Sequence, residues 1–340
     1  MPFKSMGWVG RLGLLVGLAA GLAGPAAAQQ KLQDVSLAVP AFSLSFSLQY
    51  LADDLGLWQK HGLNVKSTLI AGVGAANAVI AGSADAADAS PPTVTRAAAH
   101  GQHLLAIVAM QDRLFVETSL RKDLADAAGF DPKAPLEKRV QVLKGRTISV
   151  DSINSIIHAY LRLLAHVGGF DPESIRVAPM QPPNMVAAFE AHQIDGITMS
   201  LPWPEAPVLK GEAVIVASGL KGDPPDMVPF ANTLLVVQPE TCEKRKWLCQ
   251  GMGGALADAA AYVKDHPGDA LALLQKRFPT LDPKLVAASF EAMREVTPSP
   301  PVPLASELPN AETLNIEAGL MKPEERLPSY AGLFSDAYAR

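Results

Sequence analysis

GITMSLPWPEAPVL, residues 196–209, begins like a buried β-strand and then breaks at Ser200, which is followed by two prolines that flank Trp203. Proline has no N–H donor, so this segment can neither continue a central strand nor lie inside a helix. The pattern therefore indicates either a plain turn or the rim of a binding cleft.

A second stretch, ADAADASPPTVTRAAAHG at residues 84–101, has the same succession of strand, serine and proline. Shifting the chain by 110 positions without a gap places Asp85 on Asp195 and Ser90 on Ser200. The identities are few, but the paired residues fall in equivalent strands and loops. The chain is therefore predicted to contain a structural repeat.

Strand patterns and helix patterns alternate in both copies of the repeat. DVSLAV (residues 34–39) and NVKSTLI (64–70) have the apolar pattern of strands, and each is followed by a helical pattern. RTISVDS (146–152) and SIRVAPM (174–180) have the same order in the second copy. Alternation of this kind predicts parallel sheets covered by helices. We therefore expect an α/β protein with two doubly wound lobes.

The candidate ligand site consists of the residues that follow the predicted strands, because ligands of open parallel sheets bind outside the carboxyl ends of the strands. These residues are mainly serines, amides, glycines and aromatics, with few groups suited to catalysis. They are Phe42, Ser43, Ser45, Phe46, Gly72, Gly74, Ser90, Pro91, Gln111 and Asp112 in the first copy, and Ser152, Asn154, Ser155, Gln181, Asn184, Ser200 and Trp203 in the second.

Several of these loops run directly into a helix, where free N–H groups and the helix dipole favour an anionic or strongly polar oxygen of a ligand. Ser and Asn at such positions are also ordinary N-cap residues, so both interpretations stay open for each of them. Phe46 and Trp203 can stack on a planar or apolar ligand, although Phe46 is equally consistent with core packing.

Motifs for catalysis, nucleotide binding and metal binding are missing from the sequence. The chain has no HExxH, GxSxG or GxxxxGK[ST] segment, and His100 and His103 have no acidic companion. We expect no catalytic residue, no cofactor and no metal site. The net charge of −5, with both signs interspersed, also argues against binding to nucleic acid.

The N-terminus has the pattern of a secretory signal peptide, expected to span residues 1–28. Lys4 and Arg11 precede an apolar run at residues 12–22. Three alanines at residues 26–28 then supply a small-residue cleavage site. We expect cleavage after Ala28 and export to the periplasm. No cysteine lies near the cleavage point, so no lipid anchor is expected there.

The two cysteines of the chain are Cys242 and Cys249. In an oxidising compartment such a pair favours a disulfide over the alternative, a metal site, which needs further ligands. An uninterrupted helix would separate the two Cα atoms by about 10 Å, more than the ~7 Å that a disulfide tolerates. We therefore expect Cys242 to lie outside, or just before, the helix that contains Cys249.

Several segments resemble a known family, and the resemblance extends over nearly all of the expected mature chain. They are LADDLGLWQKHGLNVK (51–66), AGVGAANAVIAGSADAADASPP (71–92), LKGRTISV (143–150), AFEAHQIDGITMSLPWPEA (188–206) and ETLNIEAGLMKPEERLPSYAGLFSDAYA (312–339). These segments resemble the substrate-binding proteins of ABC importers of the nitrate, sulfonate and taurine type, also called the SsuA/THI5-like or NMT1-like family.

The resemblance implies a periplasmic-binding-protein fold of type II, in which two α/β lobes joined by a two-strand hinge close on a solute. Residues 31–114 and 228–340 would form lobe I, and residues 115–227 lobe II, with crossings near residues 113–121 and 228–238. The expected ligand is a small organic anion or heterocycle, such as a sulfonate, a carboxylate or a pyrimidine-like compound. The expected partners are an ABC permease and its ATPase, and the receptor itself is expected to be a monomer.

One departure from the family pattern affects the expected ligand. Many relatives carry Trp, then Glu or Asp, then Pro and an aromatic after the strand at residues 195–199, whereas this chain reads Ser200, Leu201, Pro202 and Trp203. The missing acid weakens the assignment of a cationic or aminopyrimidine ligand, and the loops hold no evident pair of arginines for a dianion. Two other functions fit the resemblance: a receptor read by a sensor kinase, and an enzyme similar to the yeast pyrimidine synthase, which the two-cysteine content disfavours.

Overall fold

The computed structural model describes residues 1–2 and 31–340, and residues 32–340 form one compact unit. The expected cleavage site and almost all of the expected signal peptide lie outside the described residues. Within the described chain, no helix combines the length and the apolar character that crossing a membrane requires.

Within residues 31–340, ten strands form two five-stranded sheets. The first sheet contains β1 (Gln33–Val39), β2 (Leu63–Leu69), β3 (Ala86–Ala89), β4 (Leu105–Ala109) and β10 (Leu234–Val237). The second sheet contains β5 (Val116–Arg121), β6 (Thr147–Val150), β7 (Arg176–Pro179), β8 (Gly196–Ser200) and β9 (Ala213–Ser218).

The two sheets have the same topology. The strand order is β2-β1-β3-β10-β4 in the first sheet and β7-β6-β8-β5-β9 in the second. The first three strands of each order are parallel, whereas the fourth, β10 or β5, is antiparallel to both of its neighbours. The α/β fold with two similar doubly wound parts is therefore confirmed, and the antiparallel strand in each sheet is a feature that the alternation of elements did not predict.

Each antiparallel strand is the first strand that the chain forms after it passes from one sheet to the other. The chain leaves the first sheet after Ala109 and enters the second at Val116, and it leaves the second after Ser218 and re-enters the first at Leu234. The boundaries of the two expected lobes stay a prediction.

Helices cover the sheets. Those associated with the first sheet are α1 (Ser47–Asp54), α2 (Leu57–Lys60), α3 (Gly74–Ile80), α4 (Pro91–Ala99), α10 (Pro239–Lys244), α11 (Lys246–Asp265), α12 (Pro267–Arg277), α13 (Pro283–Glu295) and α14 (Leu308–Glu317). Those associated with the second sheet are α5 (Lys122–Ala127), α6 (Leu136–Arg139), α7 (Ile156–Val167), α8 (Pro182–Glu190) and α9 (Glu205–Leu209). We call each sheet with its helices and the loops that join them the first module and the second module.

Equivalent residues of the two modules make equivalent contacts. Asp85, just before β3, accepts a hydrogen bond through Oδ2 from the backbone N–H of Ser36 at 2.8 Å. Asp195, just before β8, accepts one through Oδ2 from the backbone N–H of Thr147 at 2.8 Å. Both carboxylates thus fasten a central strand to its parallel neighbour, which explains why these two aspartates coincide in the repeat.

Helix α7 is an example of how the sequence directs a helix onto its sheet. Ile157, Leu161 and Leu164 recur at intervals of four and three residues, and each of them is at most 2% exposed. A stripe of this width is the usual apolar face of a helix that packs on a core. The amino end of the helix, capped by the hydroxyl of Ser155, therefore has a fixed position beside the sheet.

Cys242 and Cys249 form a disulfide with a Cα–Cα distance of 5.5 Å. Cys242 lies in α10 and Cys249 in α11, and the backbone of Arg245 between them, with φ −130° and ψ 55°, interrupts the helical path. The expected disulfide and the expected position of Cys242 outside the helix of Cys249 are confirmed.

Replacing both cysteines with serine should lower the free energy of unfolding by about 2–3 kcal/mol, because the cross-link restricts a short loop of the unfolded chain. Urea denaturation of the wild type and the Cys242→Ser/Cys249→Ser variant would measure the difference. A reductant should shift the wild type toward the variant and leave the variant unchanged. Equal stabilities of the oxidised wild type and the variant would contradict the expected contribution.

Candidate functional site

A cavity with about 520 Å³ of space between protein atoms, part of it open to solvent, lies at the carboxyl ends of the central parallel strands of both sheets. Residues of both modules line it. The first module and the segment that leads into β10 contribute Pro40, Ala41, Ser43, Ser45, Phe46, Gly72, Val73, Ala76, Asp88, Ala89, Ser90, Thr93, Asn232 and Thr233, and the second module contributes Asp151, Ser155, Ile156, Ile157, Met199 and Ser200. Within the described part of the chain, no three His, Cys, Asp or Glu side chains are grouped so as to hold a metal ion.

The structure brings some of the sequence-predicted site residues together at this cavity and leaves others outside its lining. Those in the lining are Ser43, Ser45, Phe46, Gly72, Ser90, Ser155 and Ser200. Those outside it are Phe42, Gly74, Pro91, Gln111, Asp112, Ser152, Asn154, Gln181, Asn184 and Trp203. The two serine–proline corners of the repeat thus face one cavity, whereas the role of any of these residues in binding stays a prediction.

Trp203, which the sequence suggested as a stacking partner for a ligand, is buried among other side chains and lies outside the cavity lining. Its side chain is 1% exposed, and its Nε1–H donates a hydrogen bond to the backbone oxygen of Phe42 at 2.6 Å. Its ring centroid lies 6.2 Å from that of Phe42 and 6.1 Å from that of Phe278. Close by, the N–H of Leu44 donates to the oxygen of Leu201 at 3.1 Å. Trp203 therefore joins the two modules and leaves no ring face in the cavity lining.

Gln111 lies outside the cavity lining and contacts a lining residue, Ser45, by a hydrogen bond. It is fully buried, and its Nε2–H donates to the backbone oxygen of Ser45 at 2.9 Å. Asp112 is also outside the lining, and its N–H donates to the oxygen of Val296 at 2.9 Å. On the second module, Gln181 precedes α8 and Asn184 is exposed on that helix. Position after a strand therefore did not suffice to place these four side chains in the cavity.

Asn232 and Thr233 are lining residues that the sequence analysis missed. They precede β10, and because β10 is antiparallel, its amino end lies beside the carboxyl ends of the parallel strands. Asn232 Oδ1 accepts from the N–H of Phe115 at 3.0 Å, and its Nδ2–H donates to Ser45 Oγ at 3.4 Å. If the apolar segment LLVV at residues 234–237 had been recognised as an antiparallel strand, the two residues before it would have been included in the candidate site.

Asp88 is a second missed lining residue, and it lies inside the buried strand β3. Its side chain is 1% exposed, and its Oδ1 accepts a hydrogen bond from Gln49 Nε2–H. Its Oδ2 is buried and has no hydrogen-bond partner. Burial raises the pKa of this carboxyl group well above its usual value, despite the hydrogen bond from Gln49. A charged residue in the apolar segment AADA was the available sequence signal.

Asp151 is the other acidic lining residue, and it follows β6 at the amino end of α7. Its Oδ1 accepts hydrogen bonds from the hydroxyl of Ser155 and, at 2.8 Å, from the N–H of Ser152. Burial raises the pKa of Asp151 to about 6, and these hydrogen bonds act in the opposite direction. Asp151 therefore titrates within the range of ordinary buffers.

The modules also touch each other directly beside the cavity. A Cβ atom added to Gly72 of the first module would lie 1.7 Å from Ser152 Oγ of the second, and the φ of Gly72 is +55°. Arg96 Nη2–H, on α4, donates to the backbone oxygen of Asn154 at 3.1 Å. Because these contacts leave no space for a side chain at Gly72, this position accepts only glycine while the modules are in contact.

Comparison with models of known protein families shows which family the chain belongs to. A family model described as NMT1-like family matches residues 28–278, most of the chain. The chain belongs to the NMT1-like family. A search of curated protein sequences finds no match to this NMT1-like chain.

Solved structures share the fold of the NMT1-like chain over almost its whole length. A protein from Bordetella bronchiseptica RB50 is 18% identical with a TM-score of 0.76, covering 90% of this chain and 95% of its own. The alkanesulfonate-binding protein SsuA from Xanthomonas axonopodis pv. citri, bound to MOPS, is 21% identical with a TM-score of 0.66, covering 89% and 98%. The ligand-binding component of an ABC-type import system from Staphylococcus aureus is 15% identical with a TM-score of 0.67, covering 90% and 98%. The NMT1-like chain therefore has the periplasmic-binding-protein fold.

Two further buried carboxyl groups of the NMT1-like chain have raised pKa values. Glu117 on β5 is 2% exposed and accepts a hydrogen bond from Ser218 Oγ at 2.6 Å. Burial, followed by the nearby charge of Glu205, raises its pKa to about 7. Burial likewise raises the pKa of Glu307 to about 7. Both groups therefore lose a proton in the native protein at a higher pH than in the unfolded chain.

The unliganded NMT1-like chain should become less stable as the pH rises from 5 to 8. Because the folded-state pKa values of Asp151, Glu117 and Glu307 exceed the unfolded ones, their contribution is fully present below about pH 4 and is lost through about pH 6–7. We expect a melting temperature roughly 5 °C lower at pH 8 than at pH 5. Calorimetry would measure this, and a Glu117→Gln variant should reduce the difference. A melting temperature that is constant or rises over this range would contradict the prediction.

Proposed function

We propose that the chain is a periplasmic solute-binding protein that captures a small molecule between its two modules and delivers it to an ABC importer. The observation that carries the proposal is the cavity at the carboxyl ends of the strands, with Ser90 of one module and Ser200 of the other in a single lining. The lining combines apolar side chains with a few hydroxyl, amide and carboxyl groups from both modules, which is the usual composition of a small-molecule site. Family membership supports the same function.

In this proposal residues 31–114 and 228–340 act as lobe I and residues 115–227 as lobe II. The chain crosses between the sheets twice, and the two crossing segments serve as the hinge. The solute contacts both lobes only when they are closed, so binding shifts the population toward the closed form. The contact of Gly72 with Ser152 supports the assignment of the present arrangement to that closed form.

The proposed partners are an ABC permease and its ATPase, and the receptor works in the periplasm as a monomer. The structurally similar protein from Staphylococcus aureus is the ligand-binding component of an ABC-type import system, which supports this choice of partner. The proposed solute is a small organic compound. Among the sulfonates, carboxylates and pyrimidine-like heterocycles expected from the sequence, the residues around the cavity favour a compound that donates hydrogen bonds over a simple anion.

A thermal-shift screen of the purified mature protein against a broad metabolite panel tests the receptor function. A solute present at 100 times its dissociation constant should add about 2.7 kcal/mol to the free energy of unfolding. Small-angle scattering should then show a smaller radius of gyration with the stabilising solute than without it. If no compound of the panel stabilises the protein, the receptor function is wrong.

A further inference from the structure

The ionisable residues in the cavity lining are both acidic. Asp88 comes from the first module and Asp151 from the second, and no Lys, Arg or His belongs to the lining that the described residues form. The other lining side chains are apolar or carry hydroxyl or amide groups. A buried anion of a ligand would therefore meet two carboxyl groups and no side-chain cation, an arrangement that costs free energy.

Two of the helix amino ends at the cavity, those of α7 and α4, offer little to an anion. Helix α7 directs its amino end toward the cavity, but the carboxylate of Asp151 already lies there and accepts hydrogen bonds from Ser152 N–H and the Ser155 hydroxyl. Helix α4 begins with Pro91 and Pro92, which have no N–H to donate. Of these two helix ends, that of α7 is thus occupied by the protein's own acid and that of α4 lacks donors at its first two positions.

Asp88 has an unused acceptor at the same cavity. Its Oδ2 atom has no partner, and the residue is 1% exposed, so neither the protein nor bulk water satisfies this oxygen. Unsatisfied buried acceptors are costly, and their most direct complement is a donor group on a bound molecule. Asp88 belongs to β3, a rigid central strand, which holds this acceptor in place.

We propose that the solute is an organic cation with N–H donors, such as a primary amine, an amidine or a guanidine, bound between Asp88 of the first module and Asp151 of the second. This inference rests on the proposed receptor function and names its substrate class. The acid that the family pattern carries near residue 201 is absent here, and the acidic groups of the cavity lining lie at other positions, Asp88 and Asp151. Because the aspartates belong to different modules, the cation attracts both modules and favours their closure.

The substrate class is tested with pairs of probes of equal size and opposite charge. Benzamidine with benzoate and pentylamine with pentanesulfonate are added to the metabolite panel, and every stabilising compound is then titrated by calorimetry. We expect the stabilising compounds to be cations. If anions alone stabilise the protein, the receptor function stands and the cation inference falls. If nothing stabilises it, the receptor function and the inference both fall.

Asp88→Asn tests the site itself with the tightest-binding cation of that panel. Loss of the hydrogen bond that the charged donor of the cation makes to Asp88 should weaken binding by roughly 10- to 100-fold. The melting temperature of the unliganded variant should not fall, because asparagine keeps an oxygen for Gln49 and removes a buried acid. Asp151→Asn should also lower the affinity for the same cation. The matched control is Asp265→Asn, an exposed position remote from the lining, which should bind like the wild type.

Cation binding to the wild type should also weaken as the pH falls below about 6. The groups that bond to the Asp151 carboxylate are the Ser155 hydroxyl and the Ser152 N–H, and the other acidic group of the lining is Asp88. A protonated Asp151 attracts a cation less, so the fitted affinity should fall at least tenfold between pH 7.5 and 5. Cation binding that is independent of pH and unchanged in both aspartate variants would overturn the inference.

Discussion

Replacing Gly72 with alanine should weaken solute binding by at least about 100-fold, equivalent to a loss of roughly 2.7 kcal/mol. The new Cβ would lie 1.7 Å from Ser152 Oγ and 2.8 Å from Ser152 Cβ, distances that no pair of non-bonded atoms tolerates. The two modules must then separate, and the cavity loses contact with one of them. Calorimetric titration with the solute that stabilises the wild type would measure the affinity, and small-angle scattering would report the lost closure.

Two further variants separate the steric effect at Gly72 from backbone strain. Gly82→Ala is the matched control, since Gly82 also has a left-handed φ of +72° but no atom lies within 4 Å of its added Cβ. It should lose some stability and bind the solute like the wild type. Ser152→Gly in the Gly72→Ala background removes the obstructing side chain and should restore most of the affinity. Unchanged binding by Gly72→Ala alone would mean that this contact does not belong to the binding-competent form.

The repeated fold was predictable from the sequence because its signals are local. Strands β3 and β8 each end at or just before a serine with a proline one or two positions later, and the proline cannot continue the sheet, so Ser90 and Ser200 mark equivalent corners. Asp85 and Asp195 coincide in the repeat because each fastens a central strand to its neighbour. What the alternation could not give is the direction of β5 and β10, because an antiparallel strand that enters from the other module has the same apolar composition as a parallel one.

The same gap explains why the predicted site residues differ from the cavity lining. The prediction collected residues that follow strands, and therefore omitted Asn232 and Thr233, which precede an antiparallel strand. Asp88 was missed because it lies within a strand and not after one. Trp203 and Gln111 do follow strands, but their side chains are used in contacts with other parts of the protein. Side-chain direction at the end of a strand depends on these distant contacts, which no local pattern reveals.

The two segments in which the chain crosses between the modules determine which lining residues can move when the receptor opens. The two crossing segments lie side by side, since Asn232 accepts from Phe115 N–H and donates to Ser45 Oγ at 3.4 Å. Gln111, in the first crossing segment, donates a hydrogen bond from its Nε2–H to the backbone oxygen of Ser45. The lining residues nearest the crossings are therefore held in place, whereas those at Gly72 and Ser152 can separate when the modules open.

Replacing Trp203 with alanine should lower the free energy of unfolding by about 3–5 kcal/mol, which makes it the most destabilising single substitution considered for this protein. The indole is 1% exposed, packs near Phe42 and Phe278, and donates a hydrogen bond from Nε1 to the Phe42 oxygen. Alanine leaves a cavity between the modules and an acceptor without its donor. Urea denaturation followed by circular dichroism would measure the loss.

Trp203→Phe distinguishes a packing role from the ligand-stacking role that the sequence suggested. Phenylalanine keeps most of the buried ring and loses the hydrogen bond to Phe42, so it should cost only about 1 kcal/mol. If Trp203 joins the modules, both variants should lose stability in the absence of any solute, with alanine far more affected. If it stacked on the solute, the alanine variant would keep the stability of the unliganded protein and lose affinity alone. Because the indole is enclosed on the first-module side by two aromatic rings and its one polar atom is already bonded, we expect the first of these results.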